Sequence, residues 1–212
     1  MKASINKKTL FLAQFAMLLA IEAIVCFTPL GSLPAFGPIV ATLGMVPVII
    51  TAILLGTGAG TLMGFFAGLF SFCVWTFTPP SPLAFVFTPF YSAGPIARNY
   101  WSLAICFIPR ILVGTVTGSC FSLFTKLKWK KIIAYGLSGV LGSLTNTLLV
   151  LGGIYVFFGQ SYADTLKVSF NLLLGLIGLT ILTSGIPEAV IGGAAAYAIC
   201  YPIQRHMSHT FE

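Results

Sequence analysis

Residues 9–27 read TLFLAQFAMLLAIEAIVCF, nineteen positions holding one acid, Glu22, and no base. As a helix rising about 1.5 Å per residue, this run just crosses a hydrocarbon core about 30 Å thick. It is preceded by Lys2, Lys7 and Lys8 and lacks a small-residue cleavage site, so it reads as a retained transmembrane helix rather than a signal peptide. The same pattern recurs along the chain. Over 212 residues, 58% are hydrophobic and only 7% charged, with a mean hydropathy of +1.01. A soluble domain carries about 25% charged residues, so lipid rather than water must cover most of this surface. No stretch is left over for a separate soluble domain, and residues 1–212 read as one membrane domain.

Further helices follow from apolar runs between turn signals. The Thr28-Pro29-Leu30-Gly31 stretch ends the first helix. Helix 2 is expected over 39–55, with Pro47 inside it, and Gly56-Thr57-Gly58 turns the chain into helix 3 over 59–78. Residues 79–100 hold Pro79, Pro80, Pro82, Phe85, Phe87, Pro89, Phe90, Tyr91 and Pro95 with little charge, which predicts a folded lid rather than a linker. Helix 4 is expected over 101–123 and helix 5 over 132–158. The last apolar stretch is interrupted by Gly185-Ile186-Pro187. Its first piece, 170–183, would reach only about 21 Å, too short to span. The expectation is therefore an all-α bundle of six transmembrane helices, with 170–183 a partial or re-entrant helix on the outer side before helix 6 over 187–203.

The formal net charge of +7 would suggest a polyanion partner in a soluble protein. Here most cations fall between apolar segments, where they orient the chain, and nucleic acid is not implied. With the N-terminus inside, Lys2, Lys7, Lys8, Lys126, Lys128, Lys130, Lys131 and Arg205 lie on the inner side and only Arg98 and Lys167 on the outer. Both termini are then cytoplasmic under the positive-inside rule. The cysteines at 26, 73, 106, 120 and 200 are scattered within apolar runs and form no metal spacing. Two small-residue patterns favour close helix contact in lipid: Gly56, Gly60, Gly64 and Gly68 along helix 3, and Ala16 with Ala20 on helix 1.

Charged groups inside spans are costly and must be paired, solvated or used. Arg110 lies nine residues past Trp101, about 14 Å deep, directly after Pro109, whose missing N–H frees a nearby carbonyl. Glu188 and Glu22 are its available partners, and the pair either fixes helix packing or meets a ligand. Asn146 sits mid-helix, able to bind a ligand or bond across helices. Arg98 and Asn99 close the outer loop before Tyr100 and Trp101. A cation there is either a lipid anchor or part of a site walled by the aromatic loop.

Catalysis and self-powered pumping are both disfavoured. The chain has no Gly-Lys pair and hence no phosphate-cradling loop, and neither the H-E-x-x-H nor the G-x-S-x-G pattern occurs. Both histidines lie in the C-terminal tail, and four acids are too few for a relay of titrating groups. No cofactor is expected.

The six-helix length, the alanine pair, AILLG at 52–56, ICFIPRILVG at 105–114, GSLTNT at 142–147 and GIPEA at 185–189 together resemble the substrate-binding S-components of energy-coupling factor (ECF) vitamin transporters. The likeness covers about residues 9–203. It implies a bacterial cell-membrane protein that captures a vitamin at the outer face. Its implied partners are a transmembrane coupling protein met through Ala16 and Ala20, two cytoplasmic ATPases, and lipid. The branch is closest to pantothenate-type and cobalamin-type members, and an anionic vitamin suits the two arginines. Pantothenate is favoured, with cobalamin, riboflavin or folate as alternatives, and a ligand-free assembly subunit or a stand-alone facilitator as other classes. The substrate-binding candidates are Tyr91, Arg98, Asn99, Trp101, Arg110, Asn146 and Glu188. Thr183-Ser184 stands where the resemblance leads one to expect an Asn before GIPEA.

Overall fold

The structure is a computed structural model describing residues 6–28, 43–90 and 99–210, with side chains through residue 206. Its elements are α1 (Lys7–Phe27), α2 (Met45–Leu55), α3 (Thr57–Phe77), a 3-10 turn (Pro82–Val86), α4 (Trp101–Lys126) and α5 (Lys131–Thr165). The chain ends in α6 (Phe170–Thr180), α7 (Ile186–Ala195) and α8 (Tyr201–Thr210), joined by π turns at Ile181–Gly185 and Ala196–Cys200. Backbone angles stay helical through both π turns, so these three helices form one continuous rod. Counted that way, the described residues form six helices, as the sequence leads one to expect.

Five of them are long and apolar enough to cross a membrane: Lys7–Phe27, Thr57–Phe77, Trp101–Lys126, Lys131–Thr165 and Phe170–His206. Large apolar side chains face outward on them, Leu12, Val156, Leu172 and Val190 each at least 60% exposed. A surface of that kind suits acyl chains and would drive association in water. The sixth helix, α2, has 11 residues and is buried almost throughout, from Met45 and Val48 to Ile53. A helix apolar on every side belongs at the centre of a bundle. Residues 39–42 of its expected span lie outside the described residues.

The expected break at Gly185-Ile186-Pro187 is absent. Pro187 cannot donate a backbone hydrogen bond, yet it sits in the first turn of α7, where the missing N–H costs least. The preceding π turn absorbs the change of register. Residues 170–183 are accordingly the first part of one spanning rod and not a re-entrant piece. Helix α5 also runs seven residues past its expected end at Phe158, because Phe158 and Tyr162 are both buried on one face of its last turns.

Glycine brings α3 and α4 together. A Cβ on Gly114 would strike the Gly60 carbonyl, one on Gly64 the Arg110 carbonyl, and one on Gly68 the ring of Phe107. Backbones in such contact need residues without side chains. Gly56 belongs to a different device: its φ of +95° makes the turn between α2 and α3, and nothing packs on it. The ridge on helix 3 thus comprises Gly60, Gly64 and Gly68, and it serves packing within the chain.

The core has two parts. Phe15, Val48, Ile49, Met63, Val113, Tyr135 and Cys200 pack together toward the chain ends. Leu83, Phe85, Val86, Ile105, Ile154, Phe158 and Leu173 pack at the opposite end. The second cluster includes the Pro82–Val86 turn, so residues 79–90 of the lid expected over 79–100 are folded onto the core, while residues 91–98 lie outside the described residues. Trp75 stacks on Phe87 at 4.6 Å, and the Thr76 hydroxyl donates to Thr88 Oγ1 at 2.8 Å.

Candidate functional site

Pro109 determines the placement of Arg110. Because Pro109 has no N–H, the Ile105 carbonyl one turn back loses its helical partner. The Arg110 guanidinium takes that carbonyl, Nη1 donating at 2.7 Å. The head group is held back against its own helix, with Cζ 5.3 Å from the centre of the Phe87 ring in the lid. This leaves Arg110 8% exposed and facing a cavity of about 520 Å³. That volume lies within the range usual for small-molecule sites.

The cavity is bounded by the C-terminal end of α1, the start of α2, the second half of α3, the lid, α4, α5 and the π turn leading into α7. Leu83, Val86, Phe87, Val150, Leu151 and Ile154 provide apolar walls. Arg110, Glu22, Asn146, Thr147, Thr180, Ser184 and Glu188 provide polar groups. Glu22 is completely buried; its Oε1 accepts from the Cys26 thiol at 3.2 Å, and the charge of Arg110 acts on it. Glu188 is half-buried on α7 and has an interaction of its own.

Among the described residues, four buried side-chain polar atoms have no hydrogen-bond partner: Glu22 Oε2, Arg110 Nε, Asn146 Oδ1 and Thr117 Oγ1. The first three belong to residues lining this one cavity. Each such atom costs about 1–3 kcal/mol if left unmet, and their convergence points to a polar guest. Thr117 lies apart, pressed between α4 and Gly142 of α5.

Of the residues singled out from sequence, Arg110, Asn146 and Glu188 come together here. Asn99 and Trp101 do not join them. Asn99 lies just before α4, its Oδ1 accepting from the Trp101 N–H at 3.1 Å, and Trp101 stacks on Phe157 at 4.3 Å with about half its surface exposed. Both line a shallow hollow with Tyr100 and Ala104. Tyr91 and Arg98 lie outside the described residues. Ala16 and Ala20 are exposed on the outer face of α1. From sequence Glu22 reads only as a partner for Arg110, although it is the single charge in residues 9–27. The sequence gives no sign of Thr180, at the end of α6, and marks Ser184, in the π turn, only as a departure from the resemblance, yet both line the cavity.

Three comparisons bear on this architecture. The family model described as the ECF transporter, substrate-specific component, matches residues 10–203. The pantothenic acid transporter PanT of Lactococcus lactis subsp. cremoris (strain MG1363) is 37% identical over 163 residues, which is 76% of each chain. The crystal structure of the S-component for biotin from an ECF-type ABC transporter covers 92% of this chain and 93% of its own at a TM-score of 0.50. At 15% identity, that last likeness speaks for the fold alone.

Proposed function

We propose a ligand and a mode of action on one established premise: the chain belongs to the family of ECF transporter substrate-specific components. It is a membrane-embedded part of a transporter rather than an enzyme. Its ligand is pantothenate, bound in the cavity beneath the lid and delivered to the cell interior with the help of partner subunits.

The observation that carries this reading is the set of unmet polar atoms on Arg110, Asn146 and Glu22 within one largely apolar cavity. Pantothenate has a carboxylate at one end, an amide in the middle, and two hydroxyls beside a gem-dimethyl group at the other. A guanidinium matches the carboxylate, an amide side chain matches the amide, and the aliphatic walls match the dimethyl carbon. The kinship with a pantothenic acid transporter supports the same ligand. Cobalamin is too large for about 520 Å³. A facilitator needs a polar path onward, whereas Val48, Ile49, Met63 and Val113, toward the chain ends, are fully buried and close-packed. Tyr91 and Arg98 remain candidates for the mouth, whereas Asn99 and Trp101 line a separate hollow.

In the proposed orientation the lid faces outward, and the lysines at 126–131 and both termini face the cytoplasm of a bacterial cell. Ala16 and Ala20 then form part of the face that meets a transmembrane coupling protein carrying two ATPases. Replacing both with Leu should abolish co-purification with that protein while pantothenate affinity stays within about twofold, because small residues are needed only where two helices touch. Unchanged co-purification would return the pair to lipid. The function itself is tested by uptake of labelled pantothenate into cells producing the chain with its coupling protein and ATPases. Uptake should require all components, and uptake by the chain alone would make it a facilitator.

A further inference from the structure

We propose that Glu22 receives a hydroxyl of the bound ligand, and thereby selects a hydroxylated acid with a single negative charge over its phosphorylated form. This deepens the pantothenate reading and rests on it.

Glu22 is the most deeply buried charged residue described, with no exposed surface, and it sits in the cavity wall contributed by α1. One carboxylate oxygen is occupied by the Cys26 thiol and the other has no partner. When ionised, this carboxylate can only accept, and it then calls for an O–H or N–H donor from the guest. The same charge repels the guest's own carboxylate, which is drawn to Arg110 instead. Pantothenate has three donors, its amide N–H and two hydroxyls. The amide is separated from the carboxylate by only two methylenes, so using it here would bring two anions close together. The hydroxyls lie at the far end of the molecule and avoid that repulsion. A phosphate in place of the terminal hydroxyl would add charge beside Glu22 and remove the donor. The cavity sets two acids, Glu22 and Glu188, against one guanidinium, a balance poorly suited to a multiply charged guest.

The test uses purified full-length protein in detergent. Wild type, Glu22→Gln and Glu22→Leu are titrated with pantothenate, with two analogues each lacking one hydroxyl, and with 4′-phosphopantothenate. In the wild type, loss of one particular hydroxyl should weaken binding about tenfold or more, and the phosphorylated compound should bind at least as poorly. In Glu22→Leu that hydroxyl should matter by less than about threefold. In Glu22→Gln, rejection of the phosphorylated compound should relax. Thermal unfolding of each variant reports whether it is folded, and Glu22→Gln preserves shape if Glu22→Leu does not fold. Should the variants weaken all four ligands equally, Glu22 acts only by positioning Arg110 and the proposal falls alone. Should wild type fail to bind pantothenate, the functional reading falls and this proposal with it.

Discussion

Arg110→Ala should weaken pantothenate binding by about a hundredfold or more, the largest effect expected of any cavity substitution. A hydrogen bond to a charged group is worth about 1.5–3 kcal/mol, and truncating one member of a buried charged pair costs about 2–5 kcal/mol. At about 1.4 kcal/mol per tenfold, the middles of these two ranges correspond to about 40-fold and about 300-fold. Arg110→Lys should recover part of the loss, since an ammonium restores charge but not the planar fork. It should not recover all of it, because the guanidinium also serves the Ile105 carbonyl freed by Pro109. Removing Arg110 strands Glu22 without its nearby cation, so the Arg110→Ala variant should also unfold at lower temperature. The double variant Arg110→Ala with Glu22→Gln should regain thermal stability without regaining affinity. If Arg110→Ala binds pantothenate within about twofold of wild type, the arginine is a structural group and the site lies elsewhere.

The second large effect concerns packing. Gly114→Leu places a branched side chain where α4 meets the backbone of α3 at Gly60. Overpacking a well-filled interior costs about 1–3 kcal/mol and sometimes more. Here the obstacle is a backbone carbonyl that cannot rotate aside, so the cost should reach at least about 3 kcal/mol, and little folded protein should be recovered. Gly64→Leu should behave likewise, because its Cβ meets the Arg110 carbonyl. Gly152→Ala on α5 is the matched control: nothing lies within 4 Å of its Cβ, and the change should be neutral or mildly stabilising. Melting temperatures in one detergent compare all three. A Gly114→Leu protein as stable as Gly152→Ala would mean that α3 and α4 do not touch along this line.

The bundle was legible in sequence because spanning lipid leaves few options: a run such as 9–27 or 101–123 has to be a helix. The proline-rich and aromatic 79–100 stretch likewise announced a folded segment, seen over its residues 79–90, and Pro109-Arg110 announced a freed carbonyl beside a cation. Other features were hidden for physical reasons. Pro187 ordinarily marks a boundary, and a sequence cannot reveal that a π turn just before it keeps the rod whole. Gly56 shares the four-residue spacing of the ridge, yet its positive φ assigns it to a turn, which spacing alone does not disclose. Asn99 and Trp101 sit next to an aromatic loop in sequence, but a local hydrogen bond and ring stacking turn them to a separate hollow. Glu22 and Arg110 are 88 positions apart, and only the packing of α1 against the bundle makes both line one cavity. An isolated acid in a membrane helix is a candidate binding group in its own right.

The central claim is that this chain, alone, holds pantothenate in the Arg110 cavity. Calorimetric titration of the purified protein, without ATP, coupling protein or ATPases, against pantothenate, biotin, riboflavin, folate and cobalamin tests it most directly. The account predicts one-to-one binding of pantothenate with a dissociation constant between about a nanomolar and a micromolar, roughly −12 to −8 kcal/mol, and no comparable heat from the others. Tighter binding of another vitamin, or binding of pantothenate only after the ATPases are added, would contradict it.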